Sequence, residues 1–323
     1  MFAVQYDRFG GPEVLHLGEA EAPRPGVGQI RIRVRAAGVS PVDAGLRSGR
    51  TPMSARLSLP HIPGVDAAGT VDELGDDSGE TAVGDEVFGT VDLASLGGAS
   101  AEFAVLQMWA PRPAGMSWAQ AGAAGSSVET ATRALDLLDL RAGMTLVVDG
   151  AAGGVGSVAV QLAASRGVHV IGTARADNHA FLAGLGARPV RYGAGLADRL
   201  AALGTTRVDR ALDVAGAGSL AELVAVTGDP AAVVTLADFA AAQHGVRLSM
   251  GALAGEPDGR HGLRAVAELV DQGRFTVPVE AVHPFAAAAE AHAAIERGSR
   301  RGKIVLSAVG GVNGSGDQRR TGR

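Results

Sequence analysis

The sequence predicts an α/β protein of two domains, a β-rich one first and a doubly wound parallel sheet second. Three observations carry this. At 323 residues the chain exceeds the size at which one hydrophobic core usually stops growing. Up to about Pro113 the pattern is that of strands: "QIRIRVRAAGV" (29–39) alternates Ile30, Ile32 and Val34 with Arg31, Arg33 and Arg35, the period of a sheet with one wet face. From Ser117 onward, short apolar runs alternate with helical patterns, which implies parallel strands covered on both faces.

Taken in order, "DAAGTVDELG" and "AEFAVLQ" are further short strand candidates, separated by Gly, Pro and Asp turn signals. After Ser117 come "TLVV", a helix from Val155, "VHVIG", "HAFLAGLG", "PVRY", "LADRLAALG", "VDRALDV" and "AAVVTLA". From Val279 to Val309 the chain returns to one helix and a last strand, "GKIVLSAV". The expected division is 1–116, completed by 279–309, then 117–278. Residues 310–323, "GGVNGSGDQRRTGR", are polar and Gly-rich and are expected to be disordered.

Hydrophobic content of 46% with 20% charged residues is that of an ordinary soluble chain. A net charge of -5 argues against a general phosphate-backbone binder, so no nucleic-acid partner is expected. The chain has no cysteine, which excludes disulfides, thiolate catalysis and cysteine-ligated zinc or iron–sulfur centres. No secretory signal and no apolar run of the ~20 residues a membrane helix needs are visible. The expectation is a cytoplasmic protein without a membrane partner.

The densest motif is "TLVVDGAAGGVGSVAVQLA" (145–163). A strand ends near Asp149, a helix begins near Gly154, and Val155, Val158, Ala159, Leu162 and Ala163 share one helical face. Against the dinucleotide fingerprint G-x-G-x-x-G the match is Ala151, Gly153 and Gly156, with alanine at the first position; Gly150 precedes it. The first position turns tightly, the second lets a pyrophosphate approach the backbone, and the third lets the helix pack on the strand. The helix N-terminus offers N–H groups to the phosphates, so Gly150, Ala151, Gly153, Gly154, Val155 and Gly156 are candidate cofactor residues. A lone fingerprint is weak, and the alternative is a tight turn in an Ala/Gly-rich chain. The flanking strand, the helix and the later α/β units favour the nucleotide.

The second strand decides the cofactor. NAD recognition needs an acid near its end to accept from the ribose 2′-OH. Here "VHVIG" runs into Thr173, Ala174 and Arg175, and the first acid is Asp177. Arg175 suits a 2′-phosphate, with Asn178 and His179 as nearby donors, so the expected cofactor is NADPH. The bland reading of Arg175 is a solvated surface arginine.

"YDRFGGPEVL", "AAGVSPVDAGLRSG", "PGVDAAGTV", "GDEVFG", "GAAGGVGSVAVQLA" and "RGKIVL", in this order, resemble the motifs of the medium-chain dehydrogenases/reductases, specifically the zinc-independent quinone oxidoreductase (zeta-crystallin-like) branch. The resemblance runs from Met1 to about Val309. It implies a GroES-like catalytic domain, built from the N-terminal part and the C-terminal segment, around an inserted Rossmann domain, with the active site in the cleft and a homodimeric assembly. It also implies that Thr130, in "ETATRAL", matches the Thr of the group's "LTAW" segment and contacts the nicotinamide. Tyr192 matches a tyrosine lining the 2′-phosphate pocket, and Ser40 touches nicotinamide or substrate. Two departures stand out. Gly64, Val65 and Asp66 replace the Gly-His-Glu of the zinc enzymes, so no metal is expected. Ala44 and Gly45 follow Ser40, Pro41, Val42 and Asp43 where an aromatic is usual.

Several residues keep two readings. Asp43 either orients the loop or a water beside substrate, or caps a turn after proline. Thr130 is either the nicotinamide contact or a helix threonine bonding back to its own turn. His61 is a general-acid candidate or a solvated loop histidine, and Tyr6 a cleft residue or a packed aromatic. The catalytic candidates are therefore Ser40, Asp43 and Thr130. The expected activity is NADPH-dependent, metal-independent reduction of a quinone or an α,β-unsaturated carbonyl. A tailoring enoyl reductase of secondary metabolism and a non-enzymatic NADPH-binding redox sensor or crystallin-like protein are the alternatives.

Overall fold

The first strands form an antiparallel ladder of β1 (Phe2–Gln5) and β2 (His16–Glu19). The structure, a computed structural model, describes residues 1–298 and 301–308, so the expectation for 310–323 lies outside the described residues. The Ile/Arg alternation becomes β3 (Ile30–Val39), with Ile30, Ile32 and Val34 buried and Arg33 and Arg35 exposed. On the wet face the guanidinium groups of Arg31 and Arg33 lie over the Phe103 ring, at 5.1 and 4.6 Å. Pro41 ends the strand and opens α1 (Pro41–Arg47), at a position where its missing N–H has no helical partner to lose. Then come β4 (Asp66–Leu74), β5 (Glu86–Thr90), β6 (Phe103–Leu106) and β7 (Met108–Pro111), followed by α2 (Trp118–Gly122) and α3 (Gly125–Leu137).

The alternating region forms β8 (Thr145–Asp149), α4 (Gly154–Ser165), β9 (His169–Ala174), α5 (His179–Gly184), β10 (Ala187–Arg191), α6 (Leu196–Ala202), β11 (Arg210–Asp213), α7 (Leu220–Thr227), β12 (Val233–Thr235), β13 (Arg247–Leu248) and α8 (His261–Asp271). Every pairing in this sheet is parallel, and its order is β10-β9-β8-β11-β12-β13. Relabelled along the chain this is 3-2-1-4-5-6, the order of the Rossmann sheet. The chain closes with β14 (Val279–Pro284), α9 (Ala288–Arg297) and β15 (Lys303–Ser307). These last strands return to the first sheet, ordered β14-β15-β3-β4-β5-β7, with β15 antiparallel to β3 and β6 also on β3.

The GroES-like and Rossmann-like parts do not have wholly separate cores. One buried apolar cluster runs from Phe88 and Val305 of the first sheet through Val128 and Leu135 of α3 to Val158 of α4 and Val148 and Leu212 of the second sheet. Helix α3 is thus the joint, and it fixes how the two sheets face each other. Among the described residues no helix is long and apolar enough to cross a membrane.

Candidate active site

Strand β8 delivers Asp149 to the C-terminal edge of the parallel sheet, between β9 and β11, where strand order reverses and such sheets bind ligands. The chain turns at Gly150, whose φ of +83° is open to glycine without a Cβ penalty. The sequence match puts Ala151 at the tight-turn position; the structure moves the turn one residue earlier. Ala151 lacks a positive φ, is fully buried, and donates its N–H to Thr173 O at 3.2 Å.

Gly153 and Gly156 have different duties. Gly153 caps α4 in extended backbone, and a Cβ there would meet nothing nearer than Gly150 O at 3.5 Å. Free space at a helix N-terminus is what a pyrophosphate needs to approach the backbone N–H groups. A Cβ on Gly156 would come within 2.3 Å of Gly150 O, so the helix seats on the turn only because this residue is glycine. Gly156→Ala should therefore lower Tm markedly, by about 1–3 kcal/mol of strain. Gly153→Ala should melt like wild type yet bind a dinucleotide at least about tenfold more weakly. Melting curves and fluorescence titrations check both; equal behaviour of the two variants would contradict the assignment.

In front of the turn lies a cavity of about 700 Å³ lined by Gly150, Gly153, Thr173, Arg175, Asn178 and Tyr192, among others. Six of the sequence-predicted residues thus meet in one space. Ala151, Gly154, Val155, Gly156 and Thr130 do not line it; the first four stand behind it in the turn and the start of α4, the last on α3. Thr173 ties the turn to β9, accepting Gly150 N–H at 3.2 Å and donating to Asp149, whose other oxygen accepts Ser219 Oγ at 2.6 Å. No acid stands at the end of β9. The cavity's carboxylates are engaged elsewhere, Asp149 as described and Glu222 with Gly195 N–H at 2.8 Å.

Sequence reasoning missed Arg301. Its Nε donates to Asn178 Oδ1 at 2.6 Å and its Nη2 to Asp177 O at 2.7 Å. It lines, with Arg175 and Asn178, an adjoining cavity of about 540 Å³. Nothing local in "RGKIVL" announces a partner so far back in the chain.

Ser40 and Asp43, at the start of α1, line neither cavity. Ser40 N–H and Oγ both donate to Asp43 Oδ2, at 2.8 and 2.9 Å, and Gly64 N–H donates to Oδ1 at 3.1 Å. Asp43 is 1% exposed, and burial raises its pKa although these bonds and Lys303 oppose the shift. Both of its readings merge: it caps the turn and by doing so holds the Ser40 loop to Gly64. His61 faces Leu96 O at 3.2 Å and meets Tyr6 edge-on at 5.4 Å, and burial lowers its pKa. Tyr6 is fully buried, and burial with the nearby Asp43 pushes it up to about 12. It is a packed aromatic.

Asp66 is the joint between the two parts, and was also missed. Its buried carboxylate accepts from Ser126 N–H and from Ser126 Oγ at 2.9 Å, on α3, and from Lys303 Nζ at 2.8 Å, on β15. The Lys303 stem lies where a Cβ of Gly154 would be, 2.6 Å from that point. The α3 N-terminus, the α4 N-terminus and the first sheet are thereby held together. Thr130, one turn further along α3, donates its hydroxyl to Glu129 Oε2 at 3.0 Å, rather than back to its own turn.

The GroES-like domain of alcohol dehydrogenases matches residues 26–127, and the zinc-binding dehydrogenase family matches 185–306. Zinc does not fit the donors present: cysteine is absent, Val65 occupies the ligand position, and among the described residues no group of three or more His, Cys, Asp or Glu could hold a metal ion. The chain is 38% identical over 181 residues to the quinone oxidoreductase of Rattus norvegicus, covering 55% of this chain and 54% of that one. It is 34% identical over 183 residues to the NADPH-dependent alkenal/one oxidoreductase, chloroplastic, of Arabidopsis thaliana, covering 54% and 46%. These matches span about half the length of the curated relatives. Over nearly the whole chain it superposes on the quinone oxidoreductase from Coxiella burnetii, with a TM-score of 0.83, 29% identity and coverage of 95% and 99%. In fold, in its glycine turn and in sequence, the chain is similar to the medium-chain dehydrogenases/reductases, and among them to the quinone oxidoreductases.

Proposed function

We propose that the protein is an NADPH-dependent reductase of quinones or α,β-unsaturated carbonyl compounds. The observation that carries this reading is the 700 Å³ cavity at the sheet's switch point, with Gly153 at its phosphate end and Arg175 where an NAD site keeps an acid. The printed names of its relatives, a quinone oxidoreductase and an NADPH-dependent alkenal/one oxidoreductase, agree with it.

When bound, the dihydronicotinamide supplies a hydride, and one proton completes the two-electron reduction. Gly153 and the α4 N-terminus would hold the pyrophosphate, Arg175, Asn178 and Tyr192 the 2′-phosphate, and Thr130 would orient the nicotinamide. Ser40 touches the substrate side; its proton is committed to Asp43, so its oxygen orients as an acceptor and the proton of the reaction comes from water. Asp43 is a positioning residue. With no donor set for a Lewis acid, an activated C=C or quinone is the easier acceptor, since its charge spreads onto a carbonyl that hydroxyl or N–H groups can hold. The reading includes a homodimer in the cytoplasm and the division at 116/117 and 278/279.

Steady-state kinetics with both cofactors on quinones, enones and simple alcohols test it. kcat/KM should favour NADPH by on the order of 10–100-fold, and Arg175→Ala should narrow that gap by removing a charge-assisted contact. Preference for NADH, or oxidation of alcohols without turnover of quinones and enones, would overturn it.

A further inference from the structure

We propose that Glu129 and Arg133 form an internal clamp that fixes the Thr130 hydroxyl as a hydrogen-bond acceptor and anchors the 249–259 segment beside it. The acceptor role rests on the reading of Thr130 as the nicotinamide contact; the anchoring does not.

Glu129 and Arg133 stand one turn apart on α3 and are 1% and 6% exposed. Arg133 Nε donates to Glu129 Oε1 at 2.9 Å. Glu129 reaches in two further directions: Oε1 accepts Gly259 N–H at 3.2 Å, and Oε2 accepts the Thr130 hydroxyl at 3.0 Å. Arg133 Nη1 extends the chain to Ser249 Oγ and to Glu256 Oε2 at 3.4 Å. Glu256 in turn accepts Ser249 Oγ at 2.7 Å, Gly251 N–H at 2.8 Å and Arg247 Nη2 at 3.1 Å. Helix α3 thus holds one end of the segment by the Gly259 backbone, through Glu129, and the other by the Ser249 and Glu256 side chains, through Arg133.

The glycines show how closely the segment is seated. At Gly251, with φ of +60°, a Cβ would lie 3.1 Å from the Arg133 guanidinium; at Gly259 it would lie 2.2 Å from Glu129 O. The segment leaves β13 at the ligand edge of the parallel sheet and crosses to α3, so what it is bound to matters for the site. Buried ion clusters seldom stabilise more than apolar residues of similar volume would. What the charge adds is direction. With its proton held by Glu129 and one lone pair facing Arg133 Nη2 at 3.5 Å, Thr130 Oγ1 has one lone pair to offer and no hydrogen, which suits the N–H of a carboxamide.

The test uses Glu129→Gln, Thr130→Val and their double variant, with amide hydrogen exchange on the cofactor-free chain and titration with NADPH and its 3-acetylpyridine analogue, which has a methyl in place of the carboxamide nitrogen. Glu129→Gln should speed exchange at Gly259 and Gly251 by at least about tenfold. NADPH Kd should rise about tenfold in each single variant and no further in the double, and the wild-type preference for NADPH over the analogue should vanish in all three. Should Glu129→Gln fail to fold, the apolar pair Glu129→Leu/Arg133→Met takes its place with the same expectations. Unchanged exchange overturns the anchoring; additive Kd effects or a preserved preference overturn the acceptor role. Wild type binding neither NADPH nor NADH would overturn the cofactor reading and the acceptor role with it, while exchange still decides the anchoring.

Discussion

Replacing Lys303 by methionine is expected to cost about 3–5 kcal/mol, because it leaves the Asp66 carboxylate buried without its countercharge. Asp66 would then keep only the Ser126 N–H and hydroxyl. Methionine retains the stem that packs on Gly154, so the loss reports the charge and not a cavity. In a chain of this length that corresponds to a fall in Tm on the order of 10 °C. The neutral pair Asp66→Asn/Lys303→Met should recover most of it, since replacing both charges removes the uncompensated one. Differential scanning calorimetry of the three proteins decides. A Lys303→Met protein that melts within a degree or two of wild type would show that the pair holds nothing together.

The second large effect is acid sensitivity through His292. This side chain is 1% exposed, its Nδ1 has no partner, and burial, with the neighbouring Arg47 charge, lowers its pKa to about 3. Arg47 is itself fully buried and paired with Glu296. Because the folded pKa lies below the unfolded value near 6.5, the unfolded chain binds the proton first as pH falls. The contribution is complete above about pH 6.5 and is lost at about 1.4 kcal/mol per pH unit, hence about 3 kcal/mol by pH 4.5. Asp43 and Asp213, which burial raises, titrate with the opposite sign, so the readout is the difference between wild type and His292→Gln. Urea unfolding at pH 6.5 and 4.5 should show wild type losing about 3 kcal/mol more than the variant. Parallel losses would rule His292 out as the source.

Both effects involve residues that local pattern could not bring together, and this marks the limit of what the chain says about itself. Period and turn chemistry are local, and they were legible. Ile30 to Arg35 alternate because one face of β3 is wet, and "VVDGAAGGVG" reads as strand, turn and helix because each residue's preference acts on its near neighbours. Even there the left-handed turn fell on Gly150 rather than Ala151, a shift of one residue that fingerprint spacing does not resolve and backbone φ does. Arg175 was legible because it follows the second strand of the α/β region, whereas Tyr192 was reached only through the family resemblance; both line the cavity. By contrast, Asp66 meets Lys303 across 237 residues, Arg301 meets Asn178 across 123, and Arg133 meets Glu256 across 123. A lysine opening a strand or an arginine in a helix carries no mark of its partner. Local pattern was enough for the strand-rich and α/β parts, the glycine turn and the lack of an acid at the end of β9. Only the tertiary structure decided which charges are buried and what neutralises them, because that depends on how β15 and α3 pack between the sheets, and desolvation penalises every arrangement that leaves a charge unpaired.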